Sequence, residues 1–270
     1  MRRSIATVSL GGSLPEKLHA IAAAGFHGVE IFDKDLEDYP GTPASVRRLA
    51  TELGLTITLF QPLRDVEGGT RAAFANALER AKRKIGVMHE LDCDTLLLCS
   101  NTSPESSSDI AQQYEDLRTI ADLAEQEQIR VGYEALAWGR YVRRWRQAWE
   151  RVNAVNSPAM GIVLDSFHIL SLGDTLDGLD KVPLEKLIFV QLADAPGMQM
   201  DVQQWSRHFR CYPGKGQMPV VSLAREIDRR GYNGPWSLEI FNDSYRAASV
   251  QDMAKEGNRA LLWLEKQLNE

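Results

Sequence analysis

Four polar residues stand at the ends of apolar, strand-like segments, where only core residues would otherwise be expected. Glu134 follows "RVGY", Asp165 follows "GIVL", Gln191 follows "IFV" and Glu239 follows "WSL". Burying ionised carboxylates costs several kcal/mol per ion unless a partner compensates. A divalent cation would compensate, and two glutamates, an aspartate and an amide oxygen suit Mg²⁺, Mn²⁺ or Co²⁺ better than a structural zinc. The pattern therefore predicts one divalent metal ion.

Each of the four residues also has an ordinary structural explanation when it is taken alone. Glu134 could pair with a nearby arginine, and Asp165 could cap the helix that follows it. Gln191 could be a buried amide with satisfied hydrogen bonds, and Glu239 could lie at an exposed strand edge. The metal-site hypothesis therefore depends on whether the fold brings the four strand ends together.

The elements that must position these residues alternate along the whole chain. Strands are predicted at 4–10, 28–32, 55–61, 94–100, 130–136, 160–165, 186–194 and 235–241. Helical patterns separate them, and the repeat of roughly 30 residues is the size of a βα unit. Several strands are apolar on successive residues, which is typical of parallel strands covered on both faces. Eight such units favour an α/β fold with a single (β/α)₈ TIM barrel over residues 1–270.

A TIM barrel carries its active site at the C-terminal ends of its strands, so the four polar residues are expected around one mouth. The segment 195–218, between the seventh strand and its helix, is predicted to lack regular structure. Loops of that length in compact domains are usually functional or disordered. Its aromatic residues, mixed with basic ones, are atypical of disorder. We therefore expect this loop to contribute to the site.

Composition narrows the classes of partner. The formal net charge is −6 and no polybasic arm is present, which disfavours a nucleic-acid partner. No apolar run reaches the roughly 20 residues of a membrane span, and no signal-peptide core is present, so a cytoplasmic protein is expected. The three cysteines Cys93, Cys99 and Cys211 form no CxxC pair and are predicted to be buried free thiols. A homo-oligomer is compatible with the sequence.

Several motifs, in this order and spacing, resemble the sugar-phosphate isomerase/epimerase-like (xylose isomerase-like) TIM barrels, and among them the bacterial 3-dehydroshikimate dehydratases. The motifs are "VGYEALAWGR" (131–140), "IVLDSFH" (162–168), "FVQLADAP" (189–196), "HFRCYPGKG" (208–216) and "LEIFND" (238–243). The resemblance covers essentially the whole chain. It implies Glu134, Asp165, Gln191 and Glu239 as metal ligands and His168 as the catalytic acid–base.

The resemblance also implies a reaction, the dehydration of 3-dehydroshikimate to protocatechuate (3,4-dihydroxybenzoate) in quinate and shikimate catabolism. A metal that holds the ketone would stabilise the enediolate formed when the α proton leaves. His168 would take that proton and then protonate the departing β hydroxyl, because an imidazole is suited to proton transfer near neutral pH.

A small carboxylate substrate requires basic groups in the site. Arg64 after the third strand, together with Arg210 and Lys215 in the loop after the seventh, are candidates because arginine holds carboxylates through two parallel hydrogen bonds. Ser206 is a candidate hydrogen-bonding partner in the same loop. Glu30, at the second strand, is a candidate for orienting a ligand hydroxyl or a neighbouring side chain.

Two further questions stay open at this point. The main alternative is a metal-dependent sugar or keto-sugar isomerase or epimerase on the same barrel, which would return the proton instead of expelling hydroxide. A multi-zinc DNA-repair endonuclease is disfavoured by the five scattered histidines. The chain is either a short enzyme by itself or the N-terminal module of a longer protein.

Overall fold

A closed barrel of eight parallel strands forms the centre of the computed structural model, which describes residues 1–270. The strands are β1 Arg2–Ala6, β2 Gly28–Phe32, β3 Thr56–Leu63, β4 Thr95–Cys99, β5 Arg130–Glu134, β6 Met160–Asp165, β7 Leu187–Leu192 and β8 Pro235–Leu238. Each strand pairs in parallel with the next along the chain, and β8 pairs with β1 to close the ring. The predicted α/β TIM barrel is confirmed.

Eight of the eleven helices form the outer ring, and the three short helices α2, α8 and α10 lie in the connections after β2, β7 and β8. The helices are α1 Leu14–Ala24, α2 Asp33–Glu37, α3 Pro43–Glu52, α4 Arg71–Leu91, α5 Ile110–Gln126, α6 Trp145–Val155, α7 Ser166–Leu170, α8 Val202–His208, α9 Val220–Arg229, α10 Asp243–Ala247 and α11 Val250–Asn269. No helix combines the length and the apolarity that a membrane span requires.

Local signals in the sequence explain why the outer helices begin and end where they do. At the start of α1, the Glu16 carboxylate accepts hydrogen bonds from the Ser13 amide and hydroxyl, at 2.8 and 2.7 Å, and Pro15 lies in the first turn. Gly25 ends the same helix with a φ of 92°, a left-handed conformation that glycine adopts without steric cost.

The core has two layers, because alternate residues of each strand face inward and outward. The outward-facing residues pack with the helices into a cluster of 64 buried side chains. Seven others form a small cluster inside the barrel, at Leu59, Leu97, Cys99, Leu136, Val163, Ile188 and Phe189. The three cysteines are free and buried, as predicted. The inner cluster closes the barrel below its mouth, so a site at the mouth has an apolar floor.

Several predicted strand ends differ from the structure, and three local differences from the prediction concern the first strand, the eighth strand and the loop after the seventh. The first strand ends at Ala6 and not at residue 10, because Thr7–Ser9 form a 3₁₀ turn. The eighth strand ends at Leu238, so Glu239 lies just beyond it. The loop 195–218 contains the short helix α8, whose Asp201 cap accepts hydrogen bonds from two backbone amides. That helix carries too few apolar residues to give a periodic signal.

Candidate active site

The four strand-end residues are buried at the C-terminal mouth of the barrel. Glu134 and Asp165 are the last residues of β5 and β6, and Gln191 lies beside Asp165 in the register of β6 and β7. Glu239 follows β8 directly. All four side chains are at most 5% exposed. The barrel therefore gathers three carboxyl groups and one amide on neighbouring strands, away from bulk water.

Asp165 divides its two oxygens between structure and site. Oδ1 accepts hydrogen bonds from the amides of Phe167 and His168, at 2.6 and 3.3 Å, and so caps α7. Oδ2 accepts a hydrogen bond from Arg210 Nη1 at 2.7 Å. Asp165 can therefore cap α7 and also take part in the site, because the cap uses only one of its two carboxylate oxygens.

His168 is positioned by the first turn of α7 and by a backbone amide of the β5–α6 connection. The Ala137 amide donates to Nδ1 at 3.1 Å, and Nε2 lies 3.9 Å from both Glu134 Oε1 and Asp165 Oδ2. Because Nδ1 accepts, the neutral ring carries its proton on Nε2. Burial lowers the pKa of His168 to about 3, and the nearby Arg210 charge acts in the same direction, while Asp165 opposes them. The imidazole is therefore neutral at physiological pH.

Arg210 is fully buried, and its guanidinium lies at the centre of the acidic cluster. Nη1 donates to Asp165 Oδ2 and to Glu239 Oε2, at 2.7 and 3.0 Å. Nε and Nη2 donate to Ser206 Oγ at 3.1 and 2.9 Å. Nη2 also approaches His168 Nε2 at 3.2 Å, but a guanidinium only donates, so this contact is not a hydrogen bond while Nε2 holds a proton. The hydrogen-bonding capacity of Arg210 is therefore directed mainly at the protein.

Burial and mutual repulsion raise the pKa values of most of these acids. Burial raises the pKa of Glu134 well above its usual range, and the charges of Asp165 and Glu239 add to the effect. Burial also raises the pKa of Glu239 to about 7, although Arg210 opposes it. For Asp165, burial alone would raise the pKa, but the Arg210 charge, the neighbouring His168 and the hydrogen bonds from Arg210 and the Phe167 amide together outweigh it, and the pKa is lowered. One buried arginine is too little positive charge for these carboxyl groups.

Only the nitrogen of the Gln191 side-chain amide has a hydrogen-bond partner. Its Nε2 donates to Glu30 Oε2 at 2.8 Å, and Gln61 Nε2 donates to the same oxygen at 2.7 Å. Gln191 Oε1 is buried and has no hydrogen-bond partner, and the same is true of Glu134 Oε1. Burial raises the pKa of Glu30 to about 8, with the Glu239 charge contributing. Glu30 thus fixes the Gln191 amide with its oxygen left unpaired.

Part of the donor set lies close enough together to hold a metal ion. Ligand atoms of Glu134, Asp165 and His168 lie within 4.8 Å of one another, so these three residues could hold a metal ion. Two buried oxygens without donors, on Glu134 and Gln191, are what a cation would satisfy. The excess of buried carboxyl groups over the single fully buried arginine points the same way.

The remaining predicted residues divide into two groups. Arg64, Ser206 and Arg210 line a small inner cavity of about 20 Å³, together with Glu134, His168 and Glu239. Glu30 does not line it and contacts Gln191 instead. Lys215 is exposed and lies 3.6 Å from Glu256. Lys215 does not line the inner cavity either, and its part in substrate binding stays a prediction.

Sequence reasoning missed three contributors. Cys99 donates its thiol hydrogen to Glu134 Oε2 at 3.4 Å, and Trp138 packs edge-on against His168. The Ala137 amide has no side-chain signature at all. The adjacency of "ALAW" to Glu134 was the one available signal, because residues just after a barrel strand surround the mouth.

A family model described as xylose isomerase-like TIM barrel matches residues 18–267. A curated 3-dehydroshikimate dehydratase from Pseudomonas aeruginosa is 52% identical over 270 residues, which are 100% of this chain and 43% of that protein. A solved structure of a xylose isomerase-like TIM barrel/4-hydroxyphenylpyruvate dioxygenase fusion protein superposes with a TM-score of 0.97 at 51% identity, covering 99% of this chain and 43% of that one.

A protein whose 1.8 Å crystal structure contains a zinc atom has a TM-score of 0.86 at 17% identity, with 99% of each chain covered, and this likeness shows the fold alone. The chain spans less than half the length of the curated dehydratase and of the fusion protein that it matches.

Proposed function

We propose that this chain, which belongs to the xylose isomerase-like TIM barrel family, dehydrates 3-dehydroshikimate to protocatechuate with one divalent metal ion. The observation that carries the proposal is the buried cluster at the barrel mouth. It combines a neutral imidazole, an excess of carboxyl groups and two unpaired oxygens. The whole-length identity to a curated 3-dehydroshikimate dehydratase supports the choice of substrate.

We assign the metal ligands to Glu134, Asp165, Gln191 and Glu239, with Mg²⁺, Mn²⁺ or Co²⁺ as the ion. When bound, the cation would supply Lewis-acid stabilisation of the negative charge that develops on the ketone oxygen of the substrate. Glu30 supports this set by holding the Gln191 amide nitrogen, which turns the amide oxygen into the cluster.

His168 is assigned to the departing hydroxyl. The Ala137 amide occupies Nδ1, so Nε2 carries the proton in the neutral ring and faces the cluster, from where it can donate a hydrogen bond to the leaving oxygen while keeping its proton. The α proton is then taken by a carboxylate oxygen that lines the cavity, and the carboxylic acid so formed passes it to the leaving hydroxyl, which departs as water. Loss of water and of the remaining ring proton gives the aromatic product.

The substrate carboxylate is assigned to Arg64. Arg210 also lines the cavity, but its donors are directed at Asp165, Glu239 and Ser206. Arg64 has no such internal partner, and a free guanidinium can hold a carboxylate bidentately. Arg210 and Ser206 then keep the two carboxylates in place. We propose that residues 1–270 act as one catalytic unit.

The test is to add 3-dehydroshikimate to metal-stripped protein and to protein loaded with Mg²⁺, Mn²⁺, Co²⁺ or Zn²⁺. The ultraviolet absorbance of protocatechuate then reports turnover. We expect product only with metal, and His168→Ala should abolish it while metal binding by calorimetry persists. Absence of aromatic product with every ion would refute the dehydratase proposal and favour a sugar isomerase or epimerase.

A further inference from the structure

A second, larger cavity adjoins the inner one. It has a volume of about 800 Å³ and lies between α2, the end of β3, α4 and α8, and we call it the outer chamber. Five basic residues contribute to its wall, namely Arg64, Arg80, Arg83, Lys84 and Arg207. Three acidic residues, Asp33, Glu37 and Asp65, oppose them, so positive charge is in excess.

The five basic residues differ in whether their side chains already pair with other groups of the protein. Lys84 Nζ pairs with Asp33 at 2.7 Å, and Arg80 donates to the Arg64 carbonyl at 2.8 Å. Arg83 is exposed and makes no ion pair or hydrogen bond through its side chain. The positive charge that can interact with an anion bound in the outer chamber therefore comes mainly from Arg83, Arg64 and Arg207.

Arg64 and Arg207 are the two residues that line both cavities. Both are half-buried, and neither guanidinium has a hydrogen-bond partner within the protein. Burial and the neighbouring Arg64 and Arg210 charges lower the pKa of Arg207. Two partly desolvated, unpartnered guanidiniums are unfavourable unless an anion compensates them, and a carboxylate matches their geometry.

The two cavities differ greatly in size, and only the outer chamber has room for a ring-sized ligand. The inner cavity of about 20 Å³ offers room for little more than a water molecule, whereas the outer chamber of about 800 Å³ admits a ring-sized acid. Arg64 and Arg207 line both cavities, so a ligand in the outer chamber contacts the boundary with the inner cavity at these two side chains. Electrostatic attraction in such a chamber raises the local concentration of anions.

We propose that the outer chamber is the binding and access site for ring carboxylates, and that Arg207 is a specificity-determining residue that holds the carboxylate together with Arg64. The identity of the ring acid rests on the proposed function. The chamber role itself rests on the two unpartnered arginines that the two cavities share.

The experiment compares two ligands that differ in the carboxylate alone, protocatechuate and catechol, by titration calorimetry. Arg207→Gln should weaken protocatechuate binding by about tenfold or more and leave catechol binding unchanged. Arg207→Lys should recover part of the loss, because the charge remains but the bidentate geometry is lost. Arg118→Gln, which removes an exposed charge on α5, is the matched control and should bind both ligands like the wild type.

Three outcomes would overturn the inference. They are unchanged protocatechuate binding in Arg207→Gln, an equal loss for both ligands, and a wild type that does not favour protocatechuate over catechol. Turnover of 3-dehydroshikimate, measured in parallel, separates this inference from the proposed function. If the wild type turns over 3-dehydroshikimate but any of these three binding outcomes is found, only the proposed role of the outer chamber is refuted. If Arg207→Gln weakens the binding of protocatechuate but not of catechol, and the wild type shows no turnover, only the dehydratase assignment is refuted.

Discussion

Asp194 connects the start of the long loop after β7 to its end, and its removal should destabilise the protein measurably. Its carboxylate is 2% exposed and accepts hydrogen bonds from the amides of Gly214, Gly216 and Met218, at 3.1, 3.0 and 2.9 Å. Asp194 also exchanges two backbone hydrogen bonds with Cys211, the residue after Arg210. Asp194→Ala should therefore loosen the segment that carries Arg210.

The magnitude follows from the three bonds. A hydrogen bond to a charged group contributes about 1.5–3 kcal/mol. The lower value, reduced for water that can reach these partly buried amides, gives a loss of about 3 kcal/mol in the free energy of unfolding. In a chain of this size that corresponds to a fall of about 6–12 °C in Tm. The Tm of Asp194→Asn should lie between those of the wild type and Asp194→Ala, because the amide nitrogen of asparagine cannot accept hydrogen bonds from Gly214 and Gly216.

The assay is thermal unfolding followed by circular dichroism, together with urea unfolding at 25 °C. Asp122→Ala, which removes an exposed aspartate on α5, is the control and should melt like the wild type. We also expect a raised KM in Asp194→Ala, because Arg210 and Ser206 lie in the loosened segment. A Tm within about 1 °C of the wild type would show that the loop is held by other contacts and that this reasoning fails.

Further predictions concern the same loop, the buried acids and the metal. Gly216→Ala should lower Tm as well, because an added Cβ would overlap Asp194 Oδ1 and the Ala195 carbonyl. Burial raises the pKa of Glu67 to about 7, so the folded protein holds a proton that the unfolded chain has released, and its stability falls as pH rises from about 4.5 to about 7. Glu67→Gln should remove up to about 3 kcal/mol of this fall in the free energy of unfolding, measured by urea unfolding at pH 5 and pH 8. An equal loss of stability between the two pH values in both proteins would contradict the assignment. Chelation of divalent ions should lower Tm, and Mg²⁺ or Mn²⁺ should restore it, because a cation relieves repulsion among the buried carboxyl groups; a Tm indifferent to chelator would count against the metal site.

The sequence by itself determined the barrel and the polar residues that lie at its mouth. The alternation of apolar strands with capped, amphipathic helices is a local property, and eight repeats leave few other closed arrangements. Glu134, Asp165 and Gln191 could be placed at the mouth because each interrupts an apolar strand at its C-terminal end. Glu239 was placed there correctly, although its strand ends one residue earlier.

Only the tertiary structure decided how the side chains divide their partners. Arg210 and Lys215 are five residues apart in one loop, yet Arg210 is buried among the acids and Lys215 is exposed. Likewise, the Ala137 amide that fixes the His168 ring comes from another βα connection. Such contacts depend on loop paths and barrel closure, which join residues distant along the chain, and no local periodicity records them.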